Sequence, residues 1–259
     1  MSRLSRFVQV PETHLPCGRV VPAFEVSQFL CSKWIVRDHL GEANRMVLPA
    51  GPLPSNPAAH VQAASVADLP PWTWITYLQA VRACEASGWK LIRESQWLAI
   101  AHNVARRGEN WTGGEVGAGR LLQGLHKASV DQPSAGLLMP HSAKESRWKT
   151  LSNSHRICDF GGNAWSWIHD DIQGAPDGTA RIIEPHSISL TTAPYPPREQ
   201  GMGIRPTDRR AWDGRALIRG GAWRGGKDAG AFAIYAARVP FGYRSVGFRA
   251  TRAITGDRA

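Results

Sequence analysis

Apolar and polar positions roughly alternate from Val20 to Cys31, the two-residue period of half-buried strands, and the run reads as two short strands. The period lengthens over Thr76–Ser87, where Tyr77, Val81 and Cys84 fall on one helical stripe and Gly88 stands where a left-handed C-terminal cap is wanted. Lys90–Arg93 reads as a short strand leading straight into a second helix that starts near Glu94 or Ser95. That helix places Trp97, Ala101 and Val104 on one face, ends with Arg106 and Arg107 where its dipole favours cations, and stops at Gly108. From Glu109 onward no helical period persists, while Gly, Pro, Asn, Asp and Trp are dense, which predicts loops and short strands around aromatic anchors. Six prolines between Leu48 and Pro71 predict an irregular connector, and the polar, Pro-punctuated residues 1–20 predict an arm.

The chain has 259 residues, 42% of them hydrophobic and 20% charged, enough for a real core and too apolar for a disordered chain. Its net charge of +10 is uneven: residues 198–259 hold 13 Lys and Arg against 5 Asp and Glu. An anionic partner is the first expectation from such a balance. The basic residues stand singly among Gly, Ala and aromatics, however, so no helical basic stripe marks a nucleic-acid interface. A basic nucleic-acid binder is therefore kept only as a second alternative.

Cys17, Cys31, Cys84 and Cys158 form no Cys-x-x-Cys pair, so free and mostly buried thiols are expected. The residues after Met1 carry positive charge without an apolar stretch behind it, and no run reaches membrane-spanning length. The expectation is a chain made in the cytoplasm without a signal peptide and without membrane insertion.

Four stretches, taken in order, resemble the formylglycine-generating-enzyme (sulfatase-modifying factor) branch of the C-type-lectin fold. Trp74–Cys84 is similar to that family's first helix, and Leu91, Glu94 and Trp97 reproduce its Leu-x-x-Glu-x-x-Trp second helix. Gly161-Gly-Asn-Ala-Trp-Ser-Trp167 is close to its Gly-Asn-x-Trp-Glu-Trp turn, and Arg219-Gly-Gly-Ala-Trp223 with Val246-Gly-Phe-Arg249 completes the set. The resemblance implies an α+β fold of that subtype over residues 21–254, with two helices packed on short antiparallel strands and long irregular loops. Trp165, Trp167, Trp223, Phe232 and Phe248 are read as anchors, each buried ring contributing about 1.5 to 3 kcal/mol.

The enzymes of that family hold copper with a cysteine pair between the last two motifs. The corresponding interval here, Arg224–Val246, has no Cys, His or Met, so soft ligands for copper are missing. A related branch, the nonheme-iron sulfoxide synthases, holds its metal with a histidine triad in an extra helical domain; the nine His here are scattered and no such domain is evident. An oxidoreductase of either type is the first alternative, and a non-enzymatic binder leads. Asp170 and Asp171, adjacent in an extended chain, are expected to be a solvated pair rather than catalytic carboxylates.

Within the interval, small or ring-shaped framework residues alternate with Arg224, Asp228, Tyr235, Ala237, Arg238, Phe241, Tyr243, Arg244 and Ser245. Tyr, Arg and Ser between glycines are contact-surface chemistry. The segment from about 222 to 249 is similar to the variable region of diversity-generating-retroelement variable proteins, in which template adenines are miscopied. A template AAC codon yields Arg, Asp, Tyr, Phe, Ala, Gly or Ser but never Lys, so Lys227 departs from the pattern.

That resemblance implies a receptor-binding protein, with those nine residues contacting a protein or glycan on a cell surface and Trp223, Phe232 and Phe248 beneath them. It implies a place at the tip of a phage or prophage tail fibre, beside other tail proteins, or on a bacterial surface. Such assemblies are often trimeric, but no seam stands out in the sequence. No cofactor is required. Calcium is an open expectation, since the family's turn often binds it; the matching positions are Asp159, Gly162, Ala164 and Ser166, with serine where the family has glutamate.

Overall fold

In the computed structural model, which describes residues 5–35, 61–140, 142 and 145–254, both expected helices form. Helix α1 (Tyr77–Ala86) starts at Thr76, whose hydroxyl accepts the Gln79 N–H (3.2 Å) while the Gln79 side chain accepts the Thr76 N–H (3.0 Å). This reciprocal capping box fixes the start from local sequence alone. Helix α2 (Glu94–Ala105) follows, and every residue in it except Gln96 is buried. The sequence predicts one apolar face; the other is covered by the long loops, which makes α2 a central element rather than a surface one.

Two main sheets flank it. The first contains β1 (Phe7–Val10), β2 (Phe24–Ser27) and β3 (Lys90–Leu91). The second contains β4 (Trp165–Ile168), β5 (Ala180–Ile183), β6 (Arg210–Arg219), β7 (Ile234–Arg238) and β8 (Val246–Phe248). The last strand, β9 (Ala250–Arg252), returns to the first sheet, whose order is β1-β2-β9-β3, antiparallel throughout. In the second sheet β6 pairs with β5 and then β4 along one side and with β7 along the other, and β8 lies parallel to β4. Three two-stranded ribbons sit outside: Thr13–His14 with Val20–Val21, Ser32–Ile35 with Val61–Ala64, and Trp148–Thr150 with Arg156–Cys158. The architecture is α+β, strand-rich with long irregular loops.

Four expectations need correction. Residues 5–20 are not an appendage: Phe7–Val10 pairs along its length with β2, and Val8, Val10 and Leu15 are buried, because the alternation Val8, Val10 already suits a sheet edge. The connector is not irregular at its end, since Val61–Ala64 is a strand held by Ser32–Ile35; residues 48–60 lie outside the described residues. The strands are neither all short nor all antiparallel, as β6 runs ten residues and β8 is parallel to β4. Asp170 and Asp171 are not a solvated pair. Asp170 is buried and caps the Ile172 and Gln173 N–H groups, while Asp171 accepts from the Ser95 N–H (2.9 Å) and hydroxyl (2.6 Å) at the start of α2.

Two buried arginines join the motifs. Arg219, at the end of β6, forms a fork with Glu94 at the start of α2; neither side chain reaches solvent. It also donates to the Phe232 carbonyl (3.0 Å) and the Ser189 carbonyl (2.8 Å). Arg249 sits where the chain crosses from one sheet to the other, between β8 and β9, and donates to the Ser27 carbonyl (3.0 Å) and to the Cys158 carbonyl. The stretch between them is therefore anchored at both ends, and β7, β8 and the buried Trp223 and Phe232 hold it to the body along its length.

Candidate ligand-binding face

The chain after Arg219 turns sharply through Gly220 and Gly221. Gly221 has φ +88°, and a Cβ there would lie 2.4 Å from the Ala229 Cα, so no other residue fits. Trp223 then buries its ring with Leu125 and Ala222, while its backbone N–H donates to the Asn163 carbonyl (3.0 Å). Two guanidinium groups lie over that ring, Arg224 at 5.6 Å and Arg244 at 5.3 Å from its centre. Residues from the two ends of the interval are thus brought together around one anchor.

A second group lies on β7 and the turn after it. Tyr235 is 50% exposed and Phe241 52%, and Arg238 is exposed between them along the chain. Alternation along β7 aims Ile234 and Ala236 inward and leaves Tyr235 outward, with its ring 6.0 Å from Trp212. Within the sheet β7 pairs with β6, and its other side carries no ladder among the described residues.

The remaining four expected contact residues are less free. Asp228 is paired with Arg198, Ala237 is half-buried against the core, and Ser245 is half-buried with its carbonyl accepting the Trp165 N–H (2.9 Å). Tyr243 rests its ring against Trp167 (6.0 Å between centres), and its hydroxyl accepts the Arg238 N–H (3.2 Å). Of the anchors, Trp167, Trp223, Phe232 and Phe248 are buried and Trp165 is half-buried.

The loop facing Trp223 is tied down from below. Glu145 Oε1 accepts the N–H groups of His126 (2.8 Å) and Lys127 (2.9 Å). Burial acts to raise the Glu145 carboxyl, but these donors outweigh it and hold it below the ordinary value. Arg147 donates to Asp159 and to the carbonyls of Ser134 (3.0 Å), Ala135 (2.5 Å) and Leu138 (2.7 Å), and Asn163 exchanges two hydrogen bonds with Ser134 (2.9 Å each).

The same contacts test the fit of calcium. Both Asp159 carboxylate oxygens accept from Arg147, and one also accepts from Asn163 (2.8 Å). The Gly162 carbonyl accepts the Ala164 N–H (2.8 Å), and the fourth position is the neutral Ser166. These residues do not fit a calcium ion, because a buried guanidinium already supplies the positive charge at Asp159 and would repel a second cation. Among the described residues no group of three or more His, Cys, Asp or Glu is placed to hold a metal ion.

Trp74 escaped the sequence reading as a surface residue. It is 43% exposed with φ +60°, a conformation that costs a bulky residue about 1 to 3 kcal/mol. Its N–H donates to the Tyr243 carbonyl (2.9 Å), and a Cβ on Gly242 would lie 2.3 Å from the Trp74 oxygen, so the two segments interlock. No sequence pattern carried the signal: an extended chain would put Trp72 and Trp74 on one face, and it is the positive φ at Trp74 that breaks this and leaves its ring exposed while Trp72 and Thr73 are buried.

The sequence matches no protein-family model and no curated protein. Among solved structures the chain is similar to PvdO from Pseudomonas aeruginosa, at 13% identity and TM-score 0.40, covering 96% of this chain and 92% of that one. It is similar to CarF at 12% identity and TM-score 0.46, covering 96% and 98%. The Major Tropism Determinant M1 variant aligns at 10% identity and TM-score 0.34, covering 98% and 74%. No helix among the described residues is long and apolar enough to cross a membrane.

Proposed function

We propose that this is a non-enzymatic receptor-binding protein, whose contact face is built from Arg224, Tyr235, Arg238, Phe241 and Arg244 and recognises a protein or glycan on a cell surface. The observation that carries the reading is the contrast between ends and middle. Buried Arg219 and Arg249 lock the chain on either side, while five large aromatic or guanidinium side chains between them stand in solvent. Aromatic and Arg side chains on a rigid backbone are the chemistry of binding hot spots. The resemblance to retroelement variable proteins adds that these positions are diversified and that the protein is carried on a phage tail or a bacterial surface.

The test is deep sequencing of the codons for Ala222–Gly247 across a host population, with a search for a near-identical template repeat nearby. Substitutions at the five exposed positions with the glycines intact support a diversified binder. A uniform segment without a template leaves a binder of fixed specificity. Stoichiometric copper or iron in the purified protein would instead favour an oxidoreductase, and salt-sensitive affinity for any DNA would favour a nucleic-acid binder.

A further inference from the structure

A cleft of about 450 Å³ opens beside the contact face, between Trp74 on one wall and Asp131, Gln132 and Pro133 on the other, with Arg244 among its lining residues. This volume is in the range of small-molecule sites. Its walls are held before any ligand arrives. Trp74 is interlocked with Gly242 and Tyr243, and the opposite loop is tied through Ser134 to Arg147 and Asn163. The Arg244 guanidinium rests over Trp223 and spends one donor on the Asp131 carbonyl (3.1 Å), leaving most of its five N–H groups for something else.

The chemistry of the lining selects the ligand. An exposed indole offers a flat apolar surface. Carboxylate, carboxamide and guanidinium offer acceptors and donors in one small space. The Asp131 and Arg244 charges oppose each other, so the cleft has no net preference for an ion. A ligand with one apolar face and hydroxyls around its rim satisfies all of these at once. We infer that the cleft binds a neutral hexopyranose unit of a glycan, its C–H face against Trp74 and neighbouring hydroxyls shared between Asp131 and Arg244. The inference rests on the reading of the protein as a binder and names a ligand class for the edge of its face.

The experiment is ligand-observed saturation-transfer NMR on the full chain, with the methyl pyranosides of glucose, galactose, mannose and N-acetylglucosamine. At least one is expected to receive saturation on its ring C–H protons. Trp74→Ala should weaken that binding by at least about tenfold, since an aromatic anchor is removed. Asp131→Asn should weaken it with the melting temperature unchanged, and Arg181→Ala, at an exposed position outside the cleft lining, should leave it intact. If Trp74→Ala melts early, Asp131→Asn and Gln132→Ala carry the test, because both side chains are exposed. No saturation of any glycoside, or transfer that survives these substitutions, overturns the sugar site, as would a ligand screen that returns only peptides. The broader reading fails separately, if Tyr235→Ala and Phe241→Ala leave capture by host cells unchanged.

Discussion

Tyr235 and Tyr243 are the same residue type a few positions apart, and their surroundings assign them different work. Tyr235 is half exposed beside Trp212, whereas Tyr243 packs on Trp167 and bonds the Arg238 N–H. Replacing Tyr235 by Ala is expected to abolish receptor capture and leave melting almost unmoved. Replacing Tyr243 by Ala is expected to lower stability by about 2 kcal/mol, the cost of a partly filled cavity; calorimetry on the two variants checks both. The sequence shows both as aromatics between framework residues and cannot separate them, because burial of Tyr243 depends on Trp167 from a distant strand.

His102 gives a prediction about acid. Its ring is buried between Tyr195 and Phe232, and neither nitrogen has a hydrogen-bond partner among the described residues. Burial, helped by Arg106 and Arg219, lowers its pKa to about 4 from 6.5. The folded protein thus keeps the imidazole neutral while the unfolded chain protonates near pH 6.5. Stability from this group is complete above that pH and is lost as pH falls toward 4, by about 3 kcal/mol in all. Denaturation of wild type and His102→Phe at pH 7 and pH 5 should show a smaller acid loss in the variant; equal losses would refute the assignment.

At the scale of elements, the helices were legible because their signals are local. Gln79 lies in the first turn of α1 and Thr76 and Gly88 flank the helix, so its start and stop are fixed by neighbours in sequence, with no need of a partner. Strands were read less well for the opposite reason. Val61–Ala64 becomes a strand only because Ser32–Ile35 lies beside it, and β6 is long because three strands pair with it. The Glu94–Arg219 fork joins a helix start to a strand end, and its two motifs were each visible without the contact between them. Arg219→Met alone leaves a buried carboxylate uncompensated and should cost about 3 to 5 kcal/mol. Glu94→Leu with Arg219→Met should recover most of that loss, measured by denaturant titration; no recovery would mean that Arg219 acts mainly through the Phe232 and Ser189 carbonyls.

Over the whole molecule, order and spacing of the Trp and Gly motifs spoke for an α+β fold with many short strands and long loops. The cleft was not legible. It needs Trp74, the loop at Asp131 and Arg244 in one place, and those come from three separated parts of the chain. Charge is also a property at this scale. With a surplus of eight positive charges in residues 198–259, association with an anionic cell surface should slow several-fold, to about tenfold, as salt rises from low to physiological concentration, while dissociation changes less. Surface-plasmon kinetics at two ionic strengths would measure both rates.

The fixed ends of the stretch between Arg219 and Arg249 have a consequence for engineering. A segment clamped at both ends behaves like an exchangeable cartridge: what it displays can be rewritten while its attachment stays constant. A synthetic library that randomises only Arg224, Tyr235, Arg238, Phe241 and Arg244 should keep its members folded, since none of these side chains fills the interior. The chain would then serve as a display scaffold whose new specificities are selected without renewed attention to its stability.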